Sequence, residues 1–152
     1  MIVDLVQSVI NSMTAVGGQA WLFFDAELYE LNYNQGHTVE AKPFAFLIHP
    51  VIVTDKVHAF DGSLESFAKI ELYLLQATNF AALQVDRNPV LANMYAAKAE
   101  FIKRLLMSDD VQEITGSDSE EVANVFNNNF DGLLLHVTAK LEPELYCIPA
   151  TP

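Results

Sequence analysis

Two apolar runs joined by a polar segment dominate the hydropathy pattern. Phe44-Ala45-Phe46-Leu47-Ile48-His49-Pro50-Val51-Ile52-Val53-Thr54 is nearly continuous in apolar residues, which predicts a strand covered on both faces. His49-Pro50 interrupts it, and proline cannot donate to a strand ladder, so a bulge or an edge is expected there. Leu64 to Gln76 alternates instead. Leu64, Ala68, Ile70, Leu72 and Leu74 share one face, and Glu65, Lys69, Glu71 and Tyr73 the other. Period-2 alternation predicts one packed and one wet face, with cross-strand ion pairs on the wet side. The joining segment, Asp55 to Ser63, contains the turn-forming pair Asp61-Gly62. A long hairpin is therefore the centrepiece of the chain.

The flanking segments have helical periodicity. Ile2, Leu5, Val6, Val9, Ile10, Met13 and Val16 follow the i, i+3, i+4, i+7 pattern and predict a helix over 2–16, stopped by Gly17-Gly18. Asp4 suits its N-terminal end. Trp21 to Phe24 reads as a short strand. Ala26 to Tyr33 reads as a short helix capped by Asp25 or as a continuing strand, with the helix preferred. Asn34 to His37 forms a turn. After a loop over 79–87, Asn88 as N-cap and Pro89 at the first helical position predict a second helix to about Leu106. Its packed face is Leu91, Met94, Tyr95, Lys98, Phe101, Ile102, Leu105 and Leu106, and Lys103 and Arg104 suit its C-terminal end.

Beyond it, the pattern predicts a strand over 111–115, a polar loop over 116–120 and a strand over 121–126. A turn over 127–132 precedes a strand over 133–141, whose packed face is Leu133, Leu135, Val137, Ala139 and Leu141. Short connections pair strands antiparallel. The fold class expected is α+β, a mostly antiparallel sheet with a long β-hairpin packed against the N-terminal helix and a second long helix. Residues 1–142 are read as one domain and 143–152 as an extended tail.

Composition narrows the function classes. The formal net charge of the 152 residues is -12. The few Lys and Arg residues form no phosphate-binding stripe, which disfavours binding to a nucleic-acid backbone. Mean hydropathy is +0.20, so the chain needs either a full core or a partner surface. No run approaches the roughly 18–20 apolar residues of a membrane span. Met1-Ile2-Val3-Asp4 lacks the basic region and small-residue cleavage site of a signal peptide, which reads as a chain that is intracellular or assembled inside a cell. Cys147 stands alone, giving neither an internal disulfide nor a thiolate zinc site, and no basic neighbour activates it as a nucleophile.

Candidate chemistry is sparse. His37, His49, His58 and His136 have no His or Cys at ligand spacing, and are read as structural. Asp109, Asp110, Asp118, Glu120 and Glu121 do not match a calcium loop, because the glycine of its sharp turn is missing. Nucleophile-elbow, dinucleotide and phosphate-loop motifs are absent. The reading is not an enzyme, with no catalytic residue, metal ligand or cofactor. The candidate contact residues are Lys56, Val57, His58, Ala59 and Phe60 at the hairpin tip, with Phe60 either exposed or folded back on its sheet. Tyr146 and Ile148 in the tail form a second apolar contact.

The order of elements, the entry Lys42-Pro43-Phe44-Ala45-Phe46-Leu47, the Asp-Arg-Asn-Pro turn, Phe126-Asn127-Asn128-Asn129-Phe130-Asp131-Gly132-Leu133 and the closing Leu141-Glu142-Pro143 and Tyr146-Cys147 resemble the tail terminator or tail completion proteins of tailed bacteriophages. The resemblance covers most of the chain. It implies a structural subunit of a virion ring at the head–tail joint or tail end, assembled in the bacterial host cytoplasm. The implied partners are copies of itself in a six- or twelve-fold ring and neighbouring portal, neck or tail proteins, with no membrane. DNA would pass through the ring without specific binding. Two other readings compete. One is a small acidic binding module or charge-mimic inhibitor of a basic partner, resting on the net charge. The other is an enzyme using His58 or His136.

Overall fold

The computed structural model describes residues 2–26, 42–77, 84–125 and 130–143. Helix α1 is Ile2–Ser12 and helix α2 Gln84–Leu106. The strands are β1 (Leu22–Ala26), β2 (Phe44–Ile48), β3 (Ile52–Val57), β4 (Leu64–Ala77), β5 (Val111–Val125) and β6 (Phe130–Leu141). They form a six-stranded sheet in the order β1-β2-β4-β6-β5, with β3 also paired to β4. Among the described residues, β1 and β2 are the one parallel pair and the other strand pairings are antiparallel. The described residues form an α+β fold, a mostly antiparallel sheet with a long β-hairpin and two helices.

β4 is the spine. One edge pairs with β6 from Ser66 to Ala77. The other edge is shared by β2, opposite residues 72–75, and β3, opposite residues 64–69. The expected single strand over 44–54 is therefore two strands in line. Between Leu47↔Leu72 and Ile52↔Lys69, the four residues 48–51 span the same length as the two residues 70–71. The excess is a bulge at His49-Pro50, where proline offers no N–H to the ladder. The expectation that both faces of this segment are covered holds for β2 and fails for β3, all six of whose residues are exposed. Among the described residues β3 pairs with β4 alone and lies at an edge of the sheet.

The core lies between the sheet and both helices. Leu5, Val6, Val9 and Ile10 of α1 and Met94, Ala97, Phe101 and Leu105 of α2 pack on Ala45 and Leu47, Ala68 to Leu74 on alternate positions, and Leu133 to Leu141 on alternate positions. Burying the Val, Leu, Ile, Phe and Met side chains among them contributes about 1.5–3 kcal/mol each relative to exposure. On the other face, Phe44, Phe46, Leu75 and Phe130 form a second cluster at the end opposite the hairpin tip. Phe44 meets Phe130 edge to face at 4.9 Å, a favoured ring geometry.

Several elements differ from the pattern-based expectation. α1 stops at Ser12, whose hydroxyl donates to the Val9 carbonyl, and the next free N–H, on Thr14, donates to Glu100. Gly17 and Gly18, at φ 57° and 78°, instead turn the chain between the paired residues Val16 and Gln19, the conformation of a two-residue hairpin turn. α2 begins at Gln84, so Asn88 and Pro89 lie within it. Arg87 of this extra turn sits 3.3 Å from the buried carboxylate of Asp131, a tertiary tether that local propensity does not register. Its buried stripe is Met94, Ala97, Phe101 and Leu105, leaving Tyr95 and Leu106 exposed.

β5 is one strand rather than two strands and a loop, with register shifts at three places. Each bulge resets the alternation, and the long β6 supplies a continuous ladder for the acidic stretch. Asp131 and Gly132 belong to β6 rather than to a turn. Leu64 points to the helical side but is exposed, and Ser66 takes the first buried position of β4. The short helix or strand read over 26–33, the turns at 34–37 and 127–129, and the tail beyond Pro143 lie outside the described residues.

Candidate functional site

The β3–β4 hairpin carries the candidate surface. Its register, Val57↔Leu64 to Ile52↔Lys69, is uninterrupted. The turn is closed by His58 N–H donating to the Ser63 carbonyl at 2.9 Å and Gly62 N–H donating to the His58 carbonyl at 2.8 Å. Gly62 takes φ 69°, a conformation that costs glycine little. Asp61 Oδ1 accepts from Ser63 N–H at 2.9 Å, and that backbone bond, ahead of the Ser63 side chain, holds its carboxyl below the usual range.

This rigid turn presents apolar side chains to solvent. Phe60 is fully exposed at 103% and Val57 at 67%. Of the two states expected for Phe60, the structure adopts the exposed one. Direct cross-strand partners share a face, so Val53, Val57 and Leu64 line the helical side of the hairpin and Ile52 the other, all exposed. Among the described residues, β3 pairs only with β4, so its outer edge has no strand partner. Edges with few charges invite pairing, and Asp55 and Lys56 are the charged residues that β3 carries.

The tip is tied to the sheet body through Glu65. Lys140 Nζ of β6 donates to Glu65 Oε1 at 2.9 Å, and His58 Nε2 lies 3.0 Å from Oε2. The Lys140 bond first and the His58 bond second lower the Glu65 pKa against a smaller effect of burial. Glu65 reciprocally raises the Lys140 pKa. Asp55 of β3 accepts from the Ser66 hydroxyl at 2.6 Å. The cross-strand ion pairing expected on the wet face of β4 is thus realised by Glu65.

The structure brings Lys56, Val57, His58, Ala59 and Phe60 together at the tip, whereas Tyr146 and Ile148 lie outside the described residues. The described histidines each face a carboxylate: His49 with Asp25 at 3.3 Å, His58 with Glu65 at 3.0 Å and His136 with Glu120 at 3.6 Å. Among the described residues, no group of three His, Cys, Asp or Glu side chains is placed to hold a metal ion. No described helix is long and apolar enough to cross a membrane.

A second surface feature was not visible in the sequence. An open groove of about 630 Å³ runs between α1 and the C-terminal half of α2. Leu5 and Val9 lie at its floor, Met107 and the two cations Lys103 and Arg104 on its rim. Glu100 organises one side. It accepts from Thr14 N–H at 2.7 Å, the Thr14 hydroxyl at 3.0 Å and Arg104 Nε at 2.9 Å. Burial pushes its pKa up, but these three bonds together outweigh burial and the net shift is down. The adjacency of Lys103 and Arg104 was the available sequence signal; the groove itself depends on how two distant helices pack.

The chain matches no family model and no curated protein sequence.

Proposed function

We propose that the chain is a structural subunit of a virion ring at the head–tail joint or tail end of a tailed bacteriophage, similar to tail terminator or tail completion proteins. It would join portal or neck to tail, and its acidic charge would let DNA pass without binding. The observation that carries the reading is the hairpin tip: a fully exposed Phe60 and an exposed Val57 on a hydrogen-bonded turn, beside an edge strand whose outer side has no described partner. Leaving a large aromatic in water forgoes about 1.5–3 kcal/mol that burial would return, so contact with another chain is the economical state. Packing of the tip against neighbouring subunits is the proposed mechanism, and it requires geometry rather than catalysis.

Replacing Val57 and Phe60 together with serine tests it. Both side chains are exposed, so stability is expected to change by less than about 0.5 kcal/mol, while assembly, read by native mass, is lost. Unchanged assembly would remove the tip from the account.

A second reading, an acidic module that binds a basic partner, draws support from β5. That strand exposes Glu113, Asp118, Glu120 and Glu121 and carries no cation. The same serine variant separates the two, because binding through β5 would survive it.

A further inference from the structure

The hairpin tip and the groove between α1 and α2 are complementary features of different surfaces. The tip is convex and apolar, with Phe60 fully exposed next to the exposed carboxylate of Asp61. The groove is concave, with Leu5 and Val9 at its floor. Its rim carries Lys103 and Arg104, the one pair of consecutive cations in a chain of net charge -12. Arg104 is engaged by Glu100 at 2.9 Å, while Lys103 is exposed and holds no ion pair among the described residues. The groove, about 630 Å³, has the size of sites that take a few side chains.

We propose that the hairpin tip of one copy seats in the α1–α2 groove of the next, Phe60 over Leu5 and Val9 and Asp61 facing Lys103. This inference rests on the ring-subunit reading and names the contact that builds the ring. The two surfaces differ, so the contact is head to tail. Each copy keeps one free tip and one free groove, which propagates assembly until the rotation closes. The occupant is a second copy because its tip supplies an apolar knob and, beside it, a carboxylate for Lys103, whereas the groove's own carboxylate, Glu100, is engaged by Thr14 and Arg104.

Two full-length variants test the contact. Phe60→Ser removes the knob, and Ser8→Trp fills the groove at an exposed serine of α1. Each alone is expected to weaken self-association at least tenfold in sedimentation. Mixed, they should form a 1:1 heterodimer and nothing larger, because the first keeps an intact groove and the second an intact tip. Circular dichroism of each variant controls for folding. If both variants assemble like the wild type, the contact lies elsewhere and the ring reading stands without this inference. If each variant fails alone and the mixture stays monomeric, the tip-to-groove pairing is wrong. If the wild-type chain stays monomeric up to its solubility limit, this inference and the ring reading fall together.

Discussion

Glu65 joins the hairpin turn to the sheet, and its protonation should be felt there first. Its pKa is held below the ordinary 4.5 by Lys140 and then His58. A lowered carboxylate pKa gives stability that is complete above the unfolded value and lost as pH falls through the folded value. Lys140, raised above 10.5 by the same pair, keeps that contribution while Glu65 stays ionised and loses it as pH rises through the folded Lys140 value. Glu65→Gln should therefore be less stable than wild type in neutral buffer, with the gap closing as pH drops below 4.5. Denaturant melts across a pH series measure this, and a gap independent of pH would contradict it. Gly132 is constrained differently. A Cβ there would overlap the Leu74 carbonyl oxygen and come within 3.1 Å of the Leu75 Cα, and backbone cannot step aside as a side chain can. Gly132→Ala should cost about 3 kcal/mol or more in urea denaturation, and a loss under about 1 kcal/mol would show that β4 and β6 can separate cheaply. From sequence, Gly132 read as part of a turn, because a glycine required by a close strand approach looks the same as one required by a turn.

At the level of elements, the local signals were accurate where one residue period ran uninterrupted. The alternation in β4 and β6 and the helical spacing in α1 identified the inward residues Ala68 to Leu74, Leu133 to Leu141 and Leu5 to Ile10. They misled where tertiary pairing overrode them. In β5 each bulge shifts the alternation by a residue, so a strand of 15 residues reads as two strands and a loop. In α2 the Asn88-Pro89 start signal is strong, yet the helix begins at Gln84 and Arg87 reaches Asp131. Proline at position 89 then removes one intrahelical bond, to the carbonyl of residue 85, and crowds it. Pro89→Ala should restore that bond, offset by about 0.4–1 kcal/mol of regained freedom in the unfolded chain. The expected result is a net gain of about 1–2 kcal/mol in a denaturant melt. A neutral or destabilising result would place the helix start at Pro89, where proline is favourable.

At the scale of the whole molecule, the two-layer body is stabilised by its own core, and the hairpin extends beyond it. Hydropathy marked this segment as apolar without showing that all of β3 would be exposed, because coverage depends on what packs over a strand in the folded chain. The candidate contact at residues 56–60 was legible as turn chemistry with an aromatic at its tip. The groove was not, since Leu5, Val9 and Lys103 meet only in the folded chain. In the proposed role, the extended hairpin joins one copy of the chain to the next. Native mass of the purified full-length chain over a concentration series, with negative-stain images of the same samples, tests it most directly. The expected result is a concentration-dependent closed oligomer with a central hole. A monodisperse monomer at every concentration up to the solubility limit would contradict it.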